Sequence, residues 1–175
     1  VCTTDDPALS TEHHQAIAQD SSIETQVFPT FRPDQSWGVK DPASFTQWIA
    51  QLQETSEITI LDLSDYLEAL AKRVNHFHSL GSRLSDHAFL QCFSEFPSEE
   101  ETRKIFDHVI DGENASEEET EKFGSFIMLY LCKLYKAKNW TMQIHLGALR
   151  NNSSRLMASF GPDAGGDSIG VFTPS

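Results

Sequence analysis

The densest set of chemically useful side chains lies between Thr141 and Asp167, in TMQIHLGALRNNSSRLMASFGPDAGGD. A short β-prone run, Thr141 to Ile144, delivers His145, and Gly147, Arg150, Asn151, Asn152 and a glycine-rich turn follow it. An imidazole at a strand end can ligate a divalent metal or move a proton, and Arg and Asn in the next loop can donate hydrogen bonds to an oxygen-rich ligand. Each part also has a plain structural reading. A strand-end histidine often serves only the fold, and GPDAGGD by itself makes a turn.

The same order of apolar run and then polar cluster recurs upstream. Gln26 to Pro29 leads into Thr30, Phe31, Arg32, Pro33 and Asp34. Arg32 lies between an aromatic residue and a proline, so its backbone is restrained as a bidentate carboxylate clamp requires; the competing reading is an internal ion pair with Asp34. Ser82 to Ser85 leads into Asp86 and His87, which can orient hydroxyls, take part in proton transfer, or hydrogen-bond backbone at the strand end. Val1 to Thr4 leads into Asp5, Asp6 and Pro7, where the two acids read either as helix N-caps or as supports at the mouth of a site.

Four short strands are therefore expected near residues 1–4, 26–30, 82–86 and 141–145, with helices between them. Glu12 to Asp20 reads as a polar surface helix. Asp41 and Pro42 form a cap and first-turn pair ahead of Phe45, Trp48, Ile49 and Leu52, which recur at helical spacing and are core. Ser64 is the expected cap of a helix that buries Leu67, Leu70, Val74 and Phe77 and stops at Gly81. Ser98 with Glu101 and Ser116 with Glu119 fit the capping box, and the second of these helices buries Phe123, Ile127, Tyr130, Leu131 and Leu134. Together they read as a helical insertion around 92–138. His76 and His78 look like an H-x-H metal pair, but on a helix residues i and i+2 point about 200° apart and cannot share one ion.

The net charge of -13, with a pI near 4.8, argues against partners that need a positive footprint, so neither nucleic acid nor an anionic membrane surface is expected. A small anionic substrate is not excluded, because it responds to local charge. No run approaches the roughly 18 apolar residues of a membrane span. Cys2, Cys92 and Cys132 are far apart and form no CxxC, which reads as reduced, buried cysteines of a cytoplasmic protein.

Taken together and in order, VCTTDDP, TFRPD, SDH, MQIHLGALRNN and GPDAGGDSIG resemble the uronate isomerase family of the amidohydrolase superfamily. The likeness runs from Val1 to about Gly170. Ser153 and Ser154 stand where the pattern has Asn and Thr, Gly166 stands where it has an aromatic residue, and the chain leaves the pattern at Val171. The resemblance implies an α/β fold, part of a (β/α)8 TIM-type barrel with inserted helices. A complete barrel takes roughly 250 residues, so the 175 residues read as an internal portion of one, a single partial domain.

The activity the resemblance implies is interconversion of D-glucuronate and D-fructuronate, and of D-galacturonate and D-tagaturonate, by proton transfer between C2 and C1. It implies a metal-ligand role for His145 toward zinc or manganese, with the family's H-x-H and late Asp-x-Arg outside this sequence. The chain alone is then expected to bind metal weakly and not to turn over. Asp86, His87 and Arg150 are the candidate catalytic groups, and Arg32, Asn151 and Asp5 the candidate substrate contacts. The expected partner is a small sugar acid, and self-association of the complete enzyme is compatible with the sequence. Two other readings stay open: a metal-dependent hydrolase of the same superfamily, and a catalytically incomplete sugar-acid binding piece.

Overall fold

The computed structural model describes residues 1–89, 92–162 and 164–170. Four strands, β1 (Cys2–Asp5), β2 (Phe28–Phe31), β3 (Leu84–Phe89) and β4 (Thr141–Leu146), form one sheet in the order of the sequence. Every pairing in it is parallel. Sequential parallel strands with helical crossovers are the arrangement from which a (β/α)8 barrel is built. The strands fall close to their expected places. β3 starts later than Ser82 because the Ser82 amide still donates to the Phe77 carbonyl at 3.0 Å and closes the preceding helix.

The helices are α1 (Glu12–Gln19), α2 (Pro42–Ser56), α3 (Leu63–Ser79), α4 (Glu99–Ile110), α5 (Glu117–Ala137) and the short α6 (Ser154–Phe160). Asp41 caps α2 through the Ser44 amide, with Pro42 in the first turn. Both capping boxes, Ser98 with Glu101 and Ser116 with Glu119, are complete. The cap of α3 is Asp62, whose carboxylate accepts from the Asp65 amide at 3.0 Å, and Ser64 lies inside the helix. Gly81 follows that helix at φ +94°, where an added Cβ would meet the Phe28 ring at 2.5 Å. Only glycine fits both the backbone conformation and the space.

One apolar core lies between the sheet and α2 to α5. At its centre four rings from four helices, Phe45, Tyr66, Phe106 and Phe123, pack with centroids 5.3 to 6.4 Å apart. Helices α4 and α5, which occupy the expected insertion around 92–138, thus bury their apolar faces in the same core as α2 and α3. On the sheet side Phe31 packs edge-on against Phe77 and Tyr135. A short 3₁₀ turn, Asp34–Trp37, follows β2. It is fixed from below by the buried Tyr66 hydroxyl, which donates to the Ser36 carbonyl at 2.6 Å, and from the side by Trp37 against Phe89. Beyond β4, a two-stranded antiparallel ladder joins β5 (Ala148–Leu149) to β6 (Ser168–Ile169).

Among the described residues no helix is long and apolar enough to cross a membrane. The three cysteines are free, but Cys2 and Cys92 are exposed and Cys132 is half-buried, so the expectation of buried thiols does not hold.

Candidate active site

Side chains alternate across a strand, and parallel partners in register share a face. Phe31 is opposite Asp5 and Ser85 and points into the helix-covered core. The next residue, Arg32, and its neighbour across the sheet, Asp86, therefore point to the other face. On β4 the same face carries Gln143, opposite Asp86, and His145, opposite Ala88. Three residues from three strands thus converge. Arg32 Nη1 donates to Asp86 Oδ2 at 3.1 Å, and His145 Nδ1 lies 2.8 Å from Asp86 Oδ1.

Asp86 is almost wholly buried, while the His145 side chain is 46% exposed and Arg32 27%. A buried carboxylate is retained when it is paired; here the guanidinium hydrogen-bonds Oδ2, while the imidazole lies at ion-pair distance from Oδ1, which has no hydrogen-bond partner among the described residues. The Nδ1 contact leaves Nε2 as the exposed ring nitrogen, 3.4 Å from the Gln143 amide nitrogen. Arg32 is further held by Asp34, whose Oδ2 accepts from Nε at 2.9 Å, while Asp34 Oδ1 takes a long contact of 3.4 Å from the Ala88 amide. Burial raises the Asp34 carboxyl above its ordinary value even against the pull of Arg32. Burial also opposes the charge on Arg32, but Asp34 and Asp86 outweigh it and hold the guanidinium more firmly protonated than usual.

Both readings of Arg32 meet in this geometry. Its internal pair with Asp34 is formed, so it is not an empty bidentate fork. With Nε and one N–H of Nη1 engaged, the two N–H groups of Nη2 and the second N–H of Nη1 are left for a ligand among the described residues.

Two other candidates sit elsewhere. His87, next to Asp86, points into the core between Trp37, Phe89 and Tyr135, stacked on Phe89 at 5.9 Å with both ring nitrogens buried and unpartnered among the described residues. Burial drives its pKa down to about 4, so it is a neutral core residue. Asp5 also faces the helix side, where it accepts from the Thr3 hydroxyl at 2.6 Å and lies 3.7 Å from His14. The structure does not bring these two to the Arg32, Asp86 and His145 cluster.

Arg150 and Asn151 stand in the turn beyond β4. Arg150 pairs with Asp167 at 2.8 Å, and the other Asp167 oxygen accepts from the Asn151 amide at 2.9 Å. Asn151 adopts a left-handed backbone, φ 54°. His76 and His78 have separate partners, Thr11 and Trp140, in keeping with their helical spacing.

Of three further carboxylates that carry weight here, Asp34 and Asp167 are not evident as site residues from motif reading, and Asp6 is read only together with Asp5 as a support at the mouth of a site. Asp34 is visible only as an ion-pair option for Arg32. Asp6, rather than Asp5, turns toward the loop at the strand end, accepting from the Ala8 amide at 2.8 Å and the Trp48 indole at 2.9 Å. Arg73 of α3 fixes that loop by donating to the Pro7 and Leu9 carbonyls at 2.6 and 3.0 Å. Asp167 holds the 150–151 turn across sixteen to seventeen residues, a separation at which local pattern gives no signal.

A metal-bound imidazole usually has a carboxylate or carbonyl beside its other ring nitrogen, and Asp86 stands 2.8 Å from Nδ1 of His145. His145 thus fits the chemistry of one ligand. A catalytic zinc takes about three protein ligands, and among the described residues no three His, Cys, Asp or Glu side chains are grouped to hold an ion.

A family model described as glucuronate isomerase matches residues 1–174, so the likeness continues past Val171 rather than stopping there. The uronate isomerase of Opitutus terrae is 46% identical over 172 residues, covering 98% of this chain and 36% of that protein. That of Solibacter usitatus is 46% identical over 170 residues, covering 97% and 36%. Among solved structures, the uronate isomerase of Thermotoga maritima superimposes with a TM-score of 0.87 at 32% identity, covering 98% of this chain and 38% of that one. The glucuronate isomerase of Caulobacter crescentus gives 0.82 at 28% identity, covering 98% and 35%. The chain therefore spans little more than a third of the length of these relatives. With its all-parallel sheet forming part of the barrel and a family match over almost every residue, the chain belongs to the glucuronate isomerase family.

Proposed function

We propose that the intact protein interconverts D-glucuronate and D-fructuronate, and D-galacturonate and D-tagaturonate, by moving a proton between C2 and C1. The observation that carries this reading, alongside the family match, is the meeting of Arg32, Asp86 and His145 on one face at one end of parallel strands. That end is where (β/α)8 enzymes assemble their chemistry.

Aldose to ketose isomerisation passes through an enediol, and negative charge develops on O1 and O2 as the C2 proton leaves. Donors fixed in place before the reaction stabilise that charge best. Asp86 orients the His145 ring so that Nε2 faces the open side of the sheet, where it can serve the reacting end of the sugar. Arg32 receives the C6 carboxylate through Nη2. Arg150 and Asn151, set by Asp167, face the hydroxyls of the chain. In the complete enzyme His145 would hold a zinc or manganese ion as one ligand, and that ion would supply polarisation of the carbonyl and stabilisation of the developing charge. Among the described residues no group of three potential ligands surrounds His145, so the remaining ligands would come from elsewhere in the intact protein. We take the working form to be cytoplasmic, with a small sugar acid as its partner.

The test is turnover by the intact protein of glucuronate and galacturonate, followed as formation of the 2-keto sugar acid and as exchange of the C2 hydrogen with solvent. Failure with both substrates, at full metal occupancy, would remove the proposal.

A further inference from the structure

Asp34 lies off the strands, on the 3₁₀ turn that follows β2, and it is the second carboxylate on Arg32. Three features give it a defined task. It takes the Nε edge of the guanidinium at 2.9 Å while Asp86 takes Nη1 at 3.1 Å. A planar guanidinium held at two separate nitrogens has its plane and direction fixed, which a single contact does not achieve. The turn that carries Asp34 is itself rigid, tied to α3 through the buried Tyr66 to Ser36 hydrogen bond of 2.6 Å and wedged by Trp37 against His87 and Phe89. The second Asp34 oxygen faces the Ala88 amide on β3 at 3.4 Å, so the residue spans the gap between the ends of β2 and β3.

Charge alone does not account for it. Asp86 already pairs with Arg32, and a second carboxylate competes with an anionic substrate for the same cation. What Asp34 adds is direction. We propose that Asp34 is a positioning residue for substrate recognition, holding the Nε edge of Arg32 so that Nη2 points at the carboxylate of the bound uronate. This rests on the role given above to Arg32 and goes beyond it, since it assigns the specificity of the site to a residue that does not touch substrate.

Two variants of the intact protein separate direction from charge. Asp34→Ala frees the guanidinium. KM for glucuronate should rise about tenfold, the equivalent of one charge-assisted contact, with a smaller change in kcat. Asp34→Asn keeps an oxygen acceptor and drops the competing charge, and it should recover most of the lost affinity. Glucuronamide, which is neutral at C6, should be affected little by either variant. Equal losses for glucuronate and glucuronamide, or no recovery with asparagine, would overturn the proposal.

A second readout does not depend on turnover. In protein labelled with ¹⁵N-arginine, the Arg32 Nε–H should exchange slowly with solvent, and Asp34→Ala should abolish that protection. If the wild-type protein turns over neither uronate, the functional reading of Arg32 fails, and the exchange measurement still decides whether Asp34 orients it. Unchanged exchange in Asp34→Ala would end the proposal whatever the activity.

Discussion

Asp86 and His145 sit on neighbouring parallel strands two register positions apart, and the carboxylate of the first lies 2.8 Å from Nδ1 of the second. The contact sets Nδ1 toward the buried carboxylate and Nε2 away from it. Asp86 is buried and His145 is half exposed, so the acid lies within the scaffold and the imidazole at its surface. Asp86→Ala in the intact enzyme is expected to lower kcat/KM by about 10- to 100-fold, as loss of a carboxylate behind a functional histidine usually does. Steady-state assays check it, and circular dichroism controls for folding, since the change also removes one of the two carboxylates paired with Arg32. A variant that keeps full activity would show that the contact has no part in the site.

Arg32 is the group we assign to the uronate carboxylate. Arg32→Met should weaken transition-state binding of glucuronate by about 2 to 5 kcal/mol, the range for truncating one partner of a buried charge pair. Part of that cost comes from leaving Asp34 and Asp86 without their cation, so the informative quantity is the comparison with an analogue lacking the carboxylate. Discrimination between the two should shrink. If both lose activity in equal measure, Arg32 supports the fold and does not read the substrate.

The strand-end pattern led to Arg32, Asp86 and His145 because an apolar run followed by polar residues marks the point where a strand leaves the core. The phase of each strand was not legible in the same way. Asp86 and His87 are adjacent, as are Asp5 and Asp6, and the two members of each pair turn in different directions: Asp86 to the site and His87 to the core, Asp5 to the helix side and Asp6 to the loop at the strand end. A shift of one residue exchanges the faces, and only pairing with a neighbour settles it. His87 reads as a proton-transfer group in sequence and proves to be core for this reason. Asp34 and Asp167 act across turns and ladders, so their roles depend on tertiary contacts with no local periodicity. Helix caps, by contrast, are local chemistry. Asp41, Ser98 and Ser116 follow directly from the sequence, and α3 departs from it only in using Asp62 two residues before the expected Ser64.

Burial of His87 has a consequence for stability. Its pKa falls from 6.5 to about 4 in the folded state, chiefly through desolvation, with Asp86 opposing the shift and Arg32 adding to it. Above pH 6.5 the ring is neutral in both folded and unfolded chains and costs nothing. As pH drops from 6.5 toward 4 the unfolded chain takes up a proton that the folded chain refuses, so stability is lost across that window. The loss amounts to about 3 kcal/mol. His87→Leu should remove this contribution. Denaturant titrations at a series of pH values should then show the wild-type protein weakening more steeply than the variant between pH 6.5 and 4, and parallel curves would contradict the assignment.

The final prediction concerns metal. His145 is the one imidazole in the cluster, and among the described residues no group of three potential ligands surrounds it. A single imidazole competes poorly with water for a divalent ion, whereas three protein ligands hold a catalytic zinc firmly. The 175-residue segment by itself should therefore bind zinc or manganese weakly, and the intact enzyme should bind it in stoichiometric amount. In the intact enzyme His145→Ala should lower metal content and isomerase activity together, since the proposed function places the metal and the reacting end of the sugar at one location. Elemental analysis of segment, intact protein and variant decides the matter. Stoichiometric zinc in the segment would show that the remaining ligands lie within these 175 residues, and full metal content in the variant would remove His145 from the coordination sphere.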